Sequence, residues 1–299
     1  QAAMEGYEIA TVEDVIGIRP VDLHLKGVVA LGAKIEIENG YILAHAKHLK
    51  GSHIYLGGMF GSSVLATANV LMAATLAQGE TIIESAACEP EIENLTSFLI
   101  AMGAKIKGKG SHRLTITGVK ELHGANIKVI PDRIETGTYI LMAAATKSSI
   151  TLRDGCLSHL MALVDKLDQA GINVYSENDL IKVVSKKTIK PIGITTHPYP
   201  GFPTDLQAQF MALMSITPGV SVITDKVYPD RFMHIAELNR MGANIRRDGA
   251  NAIVEGIKKL YGAPVMASDL RASAALIIAG LAAKGTTEIH RIYHLERGY

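Results

Sequence analysis

Tryptophan is absent from the 299 residues, and Phe and Tyr together make up only 5 %. The core must therefore be built of Ala, Ile, Leu, Val and Met, and the 48 % hydrophobic content is enough to supply one. Cysteine is nearly missing, with Cys88 and Cys156 alone. Two cysteines without ligand spacing make neither a disulfide framework nor a zinc site, and such sparing use fits a reducing compartment. An excess of charge is missing too. Lys plus Arg number 30 and Asp plus Glu 29, a net charge of +1. That leaves no global field to draw nucleic acid or an anionic membrane, so neither is expected as a partner. Anionic small molecules would need local clusters of Arg or Lys. No signal peptide is visible. The longest apolar run, Ala272 to Ala283, falls short of the ~20 residues that span a bilayer. The length suggests two domains, yet no Pro-, Gly- or Ser-rich linker separates two halves. The passage is expected near Val129-Ile130-Pro131-Asp132, where a strand over Ile127 to Ile130 meets a proline. The expected domains are thus 1–130 and 131–299. Gln1 at the start and Arg297-Gly298-Tyr299 at the end do not read as natural termini, so the chain is expected to be a piece of a longer protein.

What is present is a repeat. Leu31-Gly32-Ala33 recurs as Met102-Gly103-Ala104, Ala170-Gly171-Ile172 and Met241-Gly242-Ala243, a spacing of roughly 70 residues that suits a duplicated supersecondary unit. Each triplet ends a helix-like stretch. Between Ile92 and Met102, apolar residues fall at 92, 95, 98, 99 and 102, which is helical spacing, and the glycine then supplies a left-handed cap. Strand-like segments follow at Lys105-Ile106-Lys107, Asn173-Val174-Tyr175 and Asn244-Ile245-Arg246. Upstream lie Ala- and Met-rich helices at Val70 to Ala77, Tyr139 to Thr146 and Gln207 to Ser215. These are followed by strands at Thr81-Ile82-Ile83, Ile150-Thr151-Leu152 and Val220-Ser221-Val222. The class is α/β. No unit is large enough to bury its helices alone, so several units are expected to pack their helices into one core.

Four stretches carry chemistry. In Asp14 to His24, Pro20 fixes an extended backbone that could present Arg19 to a ligand, although taken alone the stretch reads better as a loop leading into a helix from Leu23 to Leu31. In His197 to Gln207, three prolines and a glycine make a rigid loop before a helix. There Thr204 or Asp205 could simply cap the helix, or Asp205 could accept a proton from a hydroxyl. Arginines stand beside acids or glycines at Asp132-Arg133, Asp230-Arg231, Asp269-Leu270-Arg271 and Arg297-Gly298. Singly these read as surface salt bridges. Together with Arg19 they offer several forks for carboxylate and phosphate. Gly57 to Val64 places glycines and serines before a helix, where backbone N–H groups could meet phosphate, but it lacks the Gly-Lys-Ser/Thr of a P-loop.

In combination the pattern is specific. Arg19-Pro20-Val21-Asp22-Leu23-His24, Pro131 to Gly137, Phe202 to Phe210, Arg231-Phe232-Met233-His234 and Asp269-Leu270-Arg271-Ala272-Ser273 resemble the UDP-N-acetylglucosamine 1-carboxyvinyltransferase family of enolpyruvyl transferases, in its order and spacing and over essentially the whole chain. The resemblance implies a two-domain inside-out α/β barrel built from repeated sheet-and-helix units. It implies transfer of the enolpyruvyl group of phosphoenolpyruvate (PEP) to the 3-hydroxyl of UDP-N-acetylglucosamine with release of phosphate, the first committed step of peptidoglycan synthesis in the bacterial cytoplasm. Neither metal nor other cofactor is implied, and no obligate protein partner is evident.

Carried over position by position, Asp205 matches the aspartate that takes the sugar hydroxyl proton, and Arg19 and Arg297 match arginines that hold PEP. Arg19, Pro20, Val21, Asp22 and Leu23 match the segment lining the uridine pocket. Gly61, Ser62, Ser63 and Val64 match a nucleotide-contacting loop, and Val227 matches a further contact to the sugar nucleotide. Arg231, Asp269 and Arg271 match charged residues at the family's domain interface and are expected among the substrate-binding residues. Asp14 stands where most members carry the loop cysteine, as a candidate general acid, and this implies resistance to epoxides such as fosfomycin, which alkylate that cysteine. Val12-Glu13 replaces the usual Gly-Gly, and the family's N-terminal Lys-Asn pair and an upstream PEP-binding arginine have no counterpart. The chain thus looks truncated at both ends, which leaves its activity alone in question. Two rivals remain open: the related shikimate-pathway enolpyruvyl transferase, which the Arg19 to His24 segment argues against, and a non-catalytic fragment that binds a nucleotide sugar. Competition by UDP-N-acetylglucosamine against shikimate 3-phosphate separates the first.

Overall fold

The computed structural model describes residues 8–9, 13–14, 17–18, 21–39, 41–185 and 188–299, with side chains from residue 21 onward. The chain divides into two compact units, Gln1–Ile130 and Pro131–Tyr299.

The first unit opens with three two-residue strands, β1 (Glu8–Ile9), β2 (Glu13–Asp14) and β3 (Gly17–Ile18), followed by α1 (Asp22–Ala30), β4 (Lys34–Glu38) and β5 (Tyr41–His45). Next come β6 (His53–Tyr55), a tight hairpin of β7 (Gly57–Gly58) and β8 (Gly61–Ser62), α2 (Val64–Ala74), β9 (Glu80–Glu84), α3 (Pro90–Ala101), β10 (Lys105–Lys107) and β11 (Arg113–Thr117). The main sheet runs β10-β11-β9-β6, with β6 parallel to β9 and the other pairs antiparallel. A smaller sheet runs β1-β5-β4, and β2 pairs with β3.

The second unit contains α4 (Arg133–Ala145), β12 (Ser149–Leu152), α5 (Met161–Ala170), β13 (Asn173–Glu177), β14 (Leu180–Val184), β15 (Ile194–Thr196), a single 3₁₀ turn (Thr204–Leu206), α6 (Gln207–Ser215) and β16 (Gly219–Asp225). It continues with α7 (His234–Arg240), β17 (Asn244–Asp248), β18 (Asn251–Gly256), β19 (Pro264–Met266), α8 (Leu270–Ala282), β20 (Glu288–His290) and a 3₁₀ segment (Ile292–Arg297). Its four-stranded sheet, β15-β16-β18-β17, repeats the parallel-then-antiparallel order of the first unit. Beside it lie β12-β14-β13 and the parallel pair β19-β20.

Local sequence accounts for these elements. The four repeat glycines all take left-handed backbone, with φ of 98° at Gly32, 102° at Gly103, 87° at Gly171 and 94° at Gly242, and so end their helices. Asp132 caps α4 by accepting from the N–H groups of Ile134 and Glu135, and Asp269 caps α8 in the same way. Leu114 and Ile116 alternate with more exposed residues along β11, so that one sheet face is buried.

The second unit is inside-out. All nine residues of α6 are buried, and that helix packs against α4 and α8, while strands such as β16 and β18 keep one face toward solvent. Phe210, Leu206, Ile140, Leu141 and Leu213 form its centre, each contributing about 1.5–3 kcal/mol of burial. Close approach also depends on small residues. A Cβ on Gly27 would lie 2.1 Å from Val70, which lets α1 sit tightly on α2, and one on Gly137 would lie 2.5 Å from Leu206, which lets α4 meet the turn before α6.

One expected element is missing. Residues 121–132 form no strand. Although Ile127 to Ile130 has strand-forming composition, the segment pairs with no sheet edge, and Val129 is left 73 % exposed. The expected helix start at Leu23 moves to Asp22.

Candidate active site

The second unit gathers most of the expected site. Pro203 ends the proline-rich loop in extended conformation and a single 3₁₀ turn follows, so Asp205 lies just ahead of α6 rather than at its cap. The capping alternative for Asp205 is thereby corrected: the residue before α6 is Leu206, and no side chain caps the helix. The Asp205 carboxylate meets arginines instead. Arg231 Nη1 donates to Oδ1 at 2.6 Å, and Arg271 Nη2 reaches Oδ2 at 3.4 Å. Arg231 also lies 3.9 Å from Asp269 Oδ1. The surface-pair reading fails for Arg231 and Arg271, whose side chains are only 10 % and 14 % exposed, whereas Asp205 keeps 37 %. Asp230, the sequence neighbour of Arg231, pairs with Arg247.

These contacts set the charge states. Burial alone pushes the Asp205 carboxyl upward, but Arg231, Arg271 and Arg133 outweigh it and hold it below the usual carboxylate range. Burial alone would lower the Arg231 pKa, and Asp205, Asp269 and Asp225 raise it, so the guanidinium stays charged. His234 is fully enclosed. Desolvation lowers its pKa to about 4, Asp269 opposes this and Arg231 adds to it, so the imidazole is neutral at pH 7.

A second tier of contacts reaches the site from neighbouring helices. The Tyr299 hydroxyl lies 2.8 Å from that of Thr138 and accepts from Arg271 Nη1 at 3.2 Å. Gln209 Nε2 donates to the carbonyl of Asp205 at 2.9 Å. Val227, half-buried, follows β16, and its N–H is held by the Asp225 carboxylate at 3.0 Å. Arg297 ends the last 3₁₀ segment, exposed, and forms no ion pair among the described residues.

The first unit brings together the other expected group. Val21, Asp22 and Leu23 lead into α1, and a Cβ on Gly58 would lie 3.0 Å from Leu23, so this segment packs on the β7–β8 hairpin. Gly61 (φ 99°) and Ser62 lie in that hairpin. Ser63 caps α2 by accepting from the N–H of Ala66, and Val64 is its first residue. His24 Nδ1 lies 2.9 Å from Asn69 Nδ2 and ties α1 to α2. The Asp14 side chain, Arg19 and Pro20 lie outside the described residues, as does the backbone joining β2 to β3. Among the described residues no group of three or more His, Cys, Asp or Glu could hold a metal, and no helix is long and apolar enough to cross a membrane.

Sequence reasoning missed Asp225, Tyr299 and Thr138 as parts of this cluster. A signal existed for Asp225: Ser221, Ile223 and Asp225 share the buried face of β16, and an acid on such a face needs partners.

The fold defines a class. It superposes on the enolpyruvyl transferase NikO of Streptomyces tendae with a TM-score of 0.85 at 22 % identity, over 100 % of this chain and 71 % of that one. It also superposes on an EPSP synthase of Acinetobacter baumannii with a TM-score of 0.69 at 20 % identity, over 98 % and 72 %. A family model described as EPSP synthase (3-phosphoshikimate 1-carboxyvinyltransferase) matches residues 7–299. Sequence relatives narrow the class. UDP-N-acetylglucosamine 1-carboxyvinyltransferase 2 of Carboxydothermus hydrogenoformans is 54 % identical over 286 residues, covering 95 % of this chain and 68 % of the relative. The UDP-N-acetylglucosamine 1-carboxyvinyltransferase of Akkermansia muciniphila is 52 % identical over 288 residues, with the same shares covered. The chain belongs to the UDP-N-acetylglucosamine 1-carboxyvinyltransferase family of enolpyruvyl transferases.

Proposed function

We propose that the protein transfers the enolpyruvyl group of PEP to the 3-hydroxyl of UDP-N-acetylglucosamine, releasing phosphate, as the first committed step of bacterial peptidoglycan synthesis in the cytoplasm. The observation that carries this reading is the Asp205 carboxylate, open to solvent on one side and gripped by two nearly buried arginines on the other. Family membership supplies the substrates.

The chemistry is addition followed by elimination. A proton adds to the methylene carbon of PEP, and the neighbouring carbon becomes cationic. The sugar oxygen bonds to that carbon and gives up its proton to Asp205. The adduct then loses a proton from the methyl group as its C–O bond to phosphate breaks. A carboxylate held below its usual range is a weak base, yet the hydroxyl becomes strongly acidic as its oxygen bonds to a cationic carbon, so a weak, well-placed base suffices. Arg231 and Arg271 act as fixed positive charges for the anions that develop. Asp269 orients Arg231 and caps α8. Arg19 and Arg297 grip PEP, and Val21, Asp22, Leu23, Gly61, Ser62, Ser63, Val64 and Val227 take the nucleotide sugar. Asp205→Ala should lower turnover roughly 10²-fold or more with the fold intact; near-parental turnover removes Asp205 from the mechanism.

Asp14 is the proposed general acid, in the place of the usual cysteine. A carboxylate is a poor nucleophile toward an epoxide, whereas a thiolate is a strong one. Mass spectrometry after fosfomycin treatment should show labelling of Asp14→Cys and none of the parent. Equal labelling of both would contradict the assignment.

A further inference from the structure

We propose that Asp225 is a positioning residue for Asp205, acting through the hydroxyl of Thr204. This rests on the reading of Asp205 as the base. Asp225 is the last residue of β16 and is wholly buried. A buried carboxylate without a cation hydrogen-bonded to it must be satisfied by neutral donors, and here four are supplied. Oδ1 accepts from Thr196 Oγ1 at 2.7 Å, from Val227 N at 3.0 Å and from Tyr228 N at 2.7 Å. Oδ2 accepts from Thr204 Oγ1 at 2.7 Å.

The two oxygens therefore have different duties. Oδ1 fixes the turn after β16 that carries Val227, together with Thr196 at the end of the parallel neighbour β15, whose Cα is in register with that of Asp225. Among the described residues Oδ2 holds one group, the side chain directly before Asp205. Thr204 begins the 3₁₀ turn that carries the base, and a charge-assisted bond at its first residue sets where that turn points. On the far side Asp205 faces Arg231, Arg271 and Arg133, and Arg231 in turn faces Asp205, Asp269 and Asp225. The turn is thus anchored at one residue while the arginines hold the next, and releasing the anchor lets the carboxylate leave Arg231.

The division of duties makes the proposal testable without disturbing the turn at Val227. Thr204→Val removes the single donor to Oδ2 among the described residues, and Asp225→Asn keeps an oxygen for the three donors to Oδ1 while its amide nitrogen turns the charge-assisted bond with Thr204 into a weaker neutral one. Thr196→Val removes a donor to Oδ1 and serves as the control. The readout is the titration of the Asp205 carboxyl carbon by NMR in ¹³C-aspartate-labelled protein, assigned by its loss in Asp205→Asn; it needs no substrate. In Thr204→Val the midpoint should rise by roughly one unit or more as Arg231 is lost, and in Asp225→Asn, where the bond to Thr204 is only weakened, it should rise by less. In Thr196→Val it should stay at the parental value. The double variant Thr204→Val/Asp225→Asn should shift no further than Thr204→Val alone, because both act on one link. Thr204→Ser, which keeps the hydroxyl, should titrate as the parent. An unchanged midpoint in Thr204→Val overturns the proposal, even if Asp225→Asn fails to fold. An equal shift in Thr196→Val overturns the route through Thr204. Turnover with PEP and UDP-N-acetylglucosamine is measured on the same proteins. A moved midpoint in a parent that releases no phosphate would count against the proposed function and leave the positioning role standing. In an active parent, kcat should fall roughly ten-fold or more in Thr204→Val with little change in KM for the sugar nucleotide.

Discussion

The two four-stranded sheets share a strand order and differ where their parallel pairs end, β16 running one residue further past its leading glycine than β9 does. In the first unit the parallel pair β6–β9 sets Tyr55 opposite Glu84; in the second, β15–β16 sets Thr196 opposite Asp225. Glu84 stays near the surface, 3.1 Å from both Arg113 and His53. Asp225 is fully buried and organises the two loops that follow the strands. The helices after the leading strands differ in the same sense. In the first unit Ser63 caps α2 conventionally, whereas in the second the cap is replaced by the 3₁₀ turn that holds Asp205 toward the arginines. Two units with the same strand order thus differ in kind: one uses ordinary capping and surface pairing, the other a buried polar network.

The contrast between Glu84 and Asp225 gives the largest expected effect. Asp225→Ala leaves two backbone N–H groups and two hydroxyls without their acceptor and should cost on the order of 3–5 kcal/mol. Glu84→Ala removes a surface pair and should cost within about 1 kcal/mol. Denaturant unfolding of both variants checks this, and similar losses would erase the contrast. Next comes acid sensitivity, which the contrast places in the second unit. The His234 pKa is depressed from 6.5 to about 4, so the unfolded chain binds the proton first. Stability is then full above pH 6.5 and declines as the pH falls toward 4, by about 3 kcal/mol in all. His234→Gln should flatten that window. Asp205, also depressed, adds a decline only below its ordinary value of 3.8. A stability profile that keeps its slope between pH 6.5 and 4 in His234→Gln would refute the assignment. The smallest effect sharpens the likeness rather than the difference. A Cβ on Gly118 would lie 1.6 Å from the carbonyl oxygen of Ala77, and one on Gly256 1.7 Å from that of Thr217, at matching ends of β11 and β18. Gly118→Ala and Gly256→Ala should each cost about 1–3 kcal/mol. Tolerance at one glycine alone would show that the two copies do not pack alike.

Much of this architecture was readable in the residues. The four glycine triplets marked four helix ends because only left-handed backbone closes them cheaply, and the helix Gln207 to Ser215 emerged with those bounds. Residues 127–130 misled because strand propensity is realised only beside a free edge. The leading strands β6, β15 and β19 are three residues each, too short for alternation to register. In the site, the arginines and Asp205 were named from local motifs. That Arg231 serves Asp205, 26 positions away, while Asp230 beside it serves Arg247, is a property of the fold. Asp225 escaped notice because its Ile-Thr-Asp-Lys setting looks like an ordinary strand end.

Enolpyruvyl transfer to a UDP-amino sugar is tested most directly by the mass of the product formed from PEP by the gene product that carries this chain, with UDP-N-acetylglucosamine and, separately, shikimate 3-phosphate as acceptor. Phosphate release and an enolpyruvyl adduct are expected with UDP-N-acetylglucosamine and none with shikimate 3-phosphate. An adduct of shikimate 3-phosphate alone, or no adduct of either, would contradict it.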